Sequence, residues 1–258
     1  MKKALIYLLE FLALQIIGGF VVSMIWQQVT GSQDVTVAQM ITSSAVVGVL
    51  VVALFLLARW AEVSPAWLRT RPWGVLTWSV LAAMGAIIPS VWLQEQMPEL
   101  PNLMENEFNA LLQNRWGYVV IGLLAPLSEE LVFRGAILRS LLRQSGMPVW
   151  GAVALSAVFF ALIHFNPAQM PHAFLIGLLL GWMYWRTGSI LPGVAYHWTN
   201  NSIAYIFYNL YPDPDMKLAD LFGGSERHVL MAVGFSMLIL LPALYQLHLR
   251  MCHASEQE

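Results

Sequence analysis

About eight apolar runs, at roughly 4–26, 37–57, 74–93, 116–140, 148–165, 172–186, 189–209 and 228–249, leave this chain few ways to fold. A helix crossing a bilayer needs about 20 residues, and in hydrocarbon every backbone amide and carbonyl must find its partner within the protein. The expected fold class is an all-α integral membrane protein, a bundle of about eight transmembrane helices. Composition agrees. Of 258 residues, 58% are hydrophobic and 11% charged, more apolar surface than a water-soluble domain of this size can bury. No repeat, low-complexity stretch or linker divides the chain, so 1–258 reads as one polytopic membrane domain in contact with lipid.

Charge narrows the partners and sets an orientation. The formal net charge is −2 with no basic run, which gives nucleic acid no footing. The single cysteine, Cys252, excludes a disulfide framework and a cysteine-rich zinc or iron–sulfur site. With the N-terminus cytoplasmic, the inside carries Lys2, Lys3, Arg59, Arg69, Arg71, Arg139, Arg143, Arg186 and Arg250, against Arg115, Lys217 and Arg227 outside. That bias satisfies the positive-inside rule and places both termini in the cytoplasm. Lys2-Lys3 followed by Ala4 to Trp26 resembles a signal peptide. Its apolar run is longer than usual and no small-x-small site closes it, so it reads as a retained first helix. Glu10 and Gln15 within it are expected to pack against other helices.

Two connecting stretches have local signatures. After Pro101-Asn102, residues Leu103, Met104, Phe108, Leu111 and Leu112 form either one face of a short surface helix or part of an ordinary loop. Tyr211-Pro212-Asp213-Pro214-Asp215 cannot continue a helix, because each proline removes an amide donor, and it ends the seventh span.

The fourth run contains charge where charge is costly. Glu129, Glu130 and Arg134 interrupt a segment otherwise apolar from Trp116 to Leu142, and each costs roughly 2.5–3.5 kcal/mol near a bilayer centre. Glu130 and Arg134 are four apart with the acid first, the favourable order for a pair on one helix face. Glu129 points about 100° away and has no local partner, which makes it a candidate for chemistry.

Polar residues recur at the same spacing further on. Phe160 and His164 share a face of the fifth run, and His197 and Asn201 share a face of the seventh. At helical rise His197, Glu129 and His164 lie roughly 12, 16 and 24 Å from the cytoplasmic side, close enough to enclose one polar cavity within the membrane. His172, beside Pro171, reads as an exposed or capping residue. Gly177 and Gly181 are a small-xxx-small pattern for close helix packing.

These residues resemble the motifs of the CAAX-protease and bacteriocin-processing (CPBP, or Abi) family of intramembrane proteases: E-E-x-x-x-R, F-x-x-x-H and H-x-x-x-N/D, in that order. Here they read Glu129-Glu130-Leu131-Val132-Phe133-Arg134, Phe160-Ala161-Leu162-Ile163-His164 and His197-Trp198-Thr199-Asn200-Asn201, and the resemblance covers about 115–210. It implies an endopeptidase acting on a peptide or membrane protein, in a bacterial cytoplasmic membrane. Glu129 and His164 would bind and deprotonate the attacking water, and His197 and Asn201 would donate to the oxyanion. Glu130, Arg134 and Phe160 would support the site.

The cofactor is open between none and a single divalent metal. Glu129, His164 and His197 are a legitimate zinc set, but the carboxylates that usually orient zinc-bound imidazoles are not visible in the sequence, which favours the metal-free version. Other classes compatible with the chain are a transporter with a polar pathway and a non-catalytic scaffold or immunity factor. The absence of inverted repeats disfavours the first, and the intact motifs disfavour the second.

Overall fold

A computed structural model describes residues 1–63, 73–213 and 216–251. Arg69, Arg71, Cys252 and His253 lie outside the described residues. Within them the protein is all-helical, with ten helices. These are α1 (Lys2–Thr30), α2 (Val37–Leu57), α3 (Trp73–Glu95), α4 (Glu105–Leu112), α5 (119–142), α6 (Val149–Leu162), α7 (Met170–Thr187), α8 (Leu191–Leu210), α9 (Leu218–Leu221) and α10 (Glu226–Arg250). Eight of these fall on the eight apolar runs. The stretch after Pro101 is a helix only from Glu105, with Leu112 buried at its end.

Local chemistry sets the ends. The Thr36 hydroxyl accepts the Gln39 amide at 3.2 Å to start α2, and Gly188 takes a left-handed φ of 62° to stop α7. Four helices are long and apolar enough to cross a membrane: α1, α2, α3 and α10. The helices α5 to α8, three of which carry the motifs, are not among them, and α6, though apolar, is only 14 residues long.

Two cores hold the bundle. In the first, α1, α2, α5 and α6 meet through Phe11, Phe55, Phe133 and Phe160, with Phe11 edge-on to Phe133 at 5.7 Å. In the second, Ala82 and Ala83 of α3 pack with Leu180 and Met183 of α7, Tyr196 of α8, and Ala243 and Leu247 of α10. α6 runs along α7 as the small-residue pattern predicts: a Cβ on Gly177 would stand 2.9 Å from the Ala157 Cβ, and one on Gly181 would stand 2.9 Å from Val153. In α1, Gln15 departs from expectation and lies exposed, while Glu10 is half-buried with one carboxylate oxygen lacking a hydrogen-bond partner among the described residues.

Candidate active site

Glu130 is the centre of the polar cluster. Its Oε1 accepts from Arg134 Nη1 at 2.6 Å, and both side chains are sealed from solvent, at 0% and 1% exposure. The second guanidinium nitrogen, Nη2, donates to the Gly177 carbonyl of α7 at 3.2 Å. The cation also lies 4.5 Å over the face of Phe160. Arg134 thereby ties α5 to α6 and α7 at one point.

Between helices, His197 of α8 comes in against the same carboxylate. Its Nδ1 is 3.3 Å from Glu130 Oε1, and its Nε2 is 3.8 Å from Glu129 Oε2. A carboxylate accepts, so Nδ1 carries the hydrogen toward Glu130. Gly193 makes this approach possible: one helical turn before His197, a Cβ there would stand 2.5 Å from Glu130 Oε2. Glu129, which has no partner on its own helix, therefore faces an imidazole 68 positions away in sequence rather than standing alone.

His164 sits just past the end of α6, in a turn where its amide bonds the Ala161 carbonyl at 3.3 Å. Its Nδ1 is 2.8 Å from the Phe160 carbonyl. A carbonyl only accepts, so Nδ1 is protonated and Nε2 of the neutral ring is the free acceptor. The Phe160 ring stands edge-on to both imidazoles, 5.1 Å from His164 and 5.8 Å from His197. Glu129 and His164, expected to share a water, are not joined directly: among the described residues neither a hydrogen bond nor an ion pair links them, and the Phe160 ring stands against both histidines.

Asn201 extends the face of His197 as its spacing implies, but its amide is engaged. Nδ2 donates to the Ile121 carbonyl of α5 at 3.0 Å, while Oδ1 accepts from Asn200 at 3.2 Å. One N–H remains for another acceptor. Ile121 offers its carbonyl because α5 is wound as wide π turns at Val119–Leu124 and again at Leu131–Leu138. In the second of these the Phe133 carbonyl accepts from Ser156 of α6 at 3.2 Å. Wide turns loosen the helix's own ladder and leave carbonyls for neighbouring side chains.

Three residues of the site escape a reading of the sequence. Gly193 is invisible as anything but a helix glycine until Glu130 is found beside it. Ser156 reads as one more small residue in an apolar helix. His172, expected to be an exposed or capping residue, is half-buried on the first turn of α7, 3.5 Å from Gln94 Nε2 of α3 and within electrostatic reach of both His164 and His197.

A family model described as type II CAAX prenyl endopeptidase Rce1-like matches residues 111–203, the stretch that runs from the end of α4 through His197 and Asn201. The motif segment is similar to that family. All the residues assembled above around Glu130 lie within it. The UPF0177 protein YxdF of Lactococcus lactis subsp. lactis (strain IL1403) is 29% identical over 105 residues, 40% of this chain, and the chain spans about half, 51%, of that protein. No solved structure matches.

The fit of a metal to the site divides in two. The partners that orient metal-bound imidazoles are present: Glu130 on Nδ1 of His197 and the Phe160 carbonyl on Nδ1 of His164. The Glu130 contact joins two helices and is not visible in the sequence. The ligand set itself does not gather, since among the described residues no group of three or more His, Cys, Asp or Glu side chains could hold an ion. No step is assigned to a metal.

Proposed function

We propose that this protein is an intramembrane endopeptidase that hydrolyses a peptide bond of a peptide or membrane-associated protein. The observation that carries the reading is the position of His197, set between Glu129 and Glu130 with the His164 ring across Phe160, inside a segment matched by a peptidase family. Glu129 is the half-buried carboxylate of the pair, at 17% side-chain exposure, while Glu130 is fully enclosed and engaged. Glu129 is therefore the base that can meet a water, and His164 Nε2 is the second acceptor for it. A water and the scissile carbonyl would sit between them.

As the water attacks, its proton passes to Glu129 and charge develops on the carbonyl oxygen. The free N–H of Asn201 serves that oxygen. His197 serves it at Nε2 only with both ring nitrogens protonated, since Nδ1–H is already given to Glu130. The proton held by Glu129 then goes to the departing amine, which completes hydrolysis.

The test is cleavage of a quenched peptide or membrane-protein library by detergent-purified protein. Wild type, Glu129→Ala and His164→Ala are compared, each with and without a strong chelator. Loss of cleavage in both variants supports the assignment; cleavage that survives Glu129→Ala refutes it. Sensitivity of the wild type to the chelator would bring in a metal.

A further inference from the structure

Directly beyond His164 the backbone takes an uncommon shape. Phe165 has φ +49°, in the left-handed region, although it is a bulky residue and 61% exposed. Such a conformation persists only where the surroundings over-determine it. The next residue, Asn166, supplies them.

Asn166 is 0% exposed, and both ends of its side-chain amide are used across the fold. Its Nδ2 donates to Asn102 Oδ1 at 2.7 Å, and its Oδ1 accepts the Leu103 amide at 3.2 Å. Its carbonyl accepts the amides of Gln169 at 2.9 Å and Met170 at 3.2 Å, which start α7. Two residues on, the Ala168 amide donates to the Pro101 carbonyl at 3.3 Å. One buried side chain thus fastens the strap Pro101–Leu103 to the turn that carries His164 and to the helix that carries Gly177.

We propose that Asn166 is a positioning residue for His164: by clasping Asn102 and Leu103 it holds the left-handed turn at Phe165, and with it the height and rotation of the His164 ring. The strap is bonded to the segment that follows this turn, so losing the clasp lets the ring move relative to Glu129 without removing any group that touches substrate. This assignment rests on the peptidase reading.

The experiment uses the full chain in detergent with three variants: Asn102→Ala, Asn102→Asp and Asn166→Ala. Asn102 is on the surface, so its substitution tests the clasp without emptying a buried site. Asn102→Ala should lower kcat about 10-fold with KM within about two-fold, because a small displacement of a reacting group costs rate rather than binding. Asn102→Asp keeps an oxygen for Asn166 Nδ2 and should stay within about two-fold of wild type in kcat. Unchanged kcat in Asn102→Ala, or equal loss in both Asn102 variants, would overturn the proposal. Hydrogen exchange at the Leu103 amide in Asn166→Ala reads the clasp without any substrate. Faster exchange supports it and unchanged exchange overturns it, even where the wild type cleaves nothing and the peptidase reading itself has failed.

Discussion

At the scale of single residues, the molecule turns on one carboxylate oxygen. Glu130 Oε1 receives both Arg134 and His197, while Glu130 Oε2 and Arg134 Nε have no hydrogen-bond partner among the described residues. Removing one member of such a pair strands the other's charge in the interior. Glu130→Ala should therefore lower unfolding stability by about 3–5 kcal/mol, read by denaturation in detergent. The double change Glu130→Leu with Arg134→Met should recover most of that stability and none of the cleavage. Gly193→Ala should cost about 1–3 kcal/mol through overpacking, and should also reduce cleavage, because its Cβ displaces the carboxylate that orients His197. A Gly193→Ala protein with full activity would show that His197 does not depend on Glu130. The pair Glu130–Arg134 was legible in the sequence because both ends belong to one helix, where spacing alone fixes geometry. The bond from Glu130 to His197 was not, since the two residues are 67 apart and meet only through the way their helices are rotated against each other.

At the scale of elements, spans and polar faces follow from hydropathy and spacing, and most helix ends fall within a few residues of the apolar boundaries. The end of α6 is the instructive exception. The apolar run continues to Phe165, yet the helix stops at Leu162, and His164 belongs to a turn that a long-range clasp with Asn102 holds in place. No local pattern encodes that. Nor does any local pattern announce the wide turns of α5, whose carbonyls are paired by side chains of α6 and α8. Ser156→Ala removes one of those partners and should cost about 1–3 kcal/mol for the buried carbonyl left unpaired, measured by the same denaturation. Gly181→Leu should separate α6 from α7 and lower stability by a similar amount, since Val153 already occupies the space.

For the whole molecule, the outward surface is apolar. Along α1, Ile16, Ile17, Phe20 and Ile25 are all exposed, although Phe11 and Ala4 of the same helix are buried. In a bilayer these outward residues face lipid. Cysteine introduced as Phe20→Cys should react with a membrane-soluble thiol reagent and resist a water-soluble one, while Glu99→Cys should show the reverse. If Phe20→Cys were freely labelled from water, the lipid-facing assignment of α1 would fail. The orientation inferred from Lys and Arg is tested in intact cells by Lys217→Cys, labelled from outside, against Arg143→Cys, labelled only after permeabilisation.

A wide turn holds one more residue per hydrogen-bonded ring than an α turn, so α5 contains slack that an ordinary helix lacks. Its length in residues is decoupled from the angle at which its far end leaves the membrane. Deleting one residue between Gly135 and Leu138 would tighten that stretch to regular winding and leave Glu129 and Glu130 where they are. Arg139 would keep its bearing toward Glu62, because the residue removed is the one the wide turn had absorbed, whereas the same deletion in a regular helix would turn everything beyond it by about 100°. Single insertions and deletions in this stretch can therefore come and go over generations while both ends of α5 keep their neighbours.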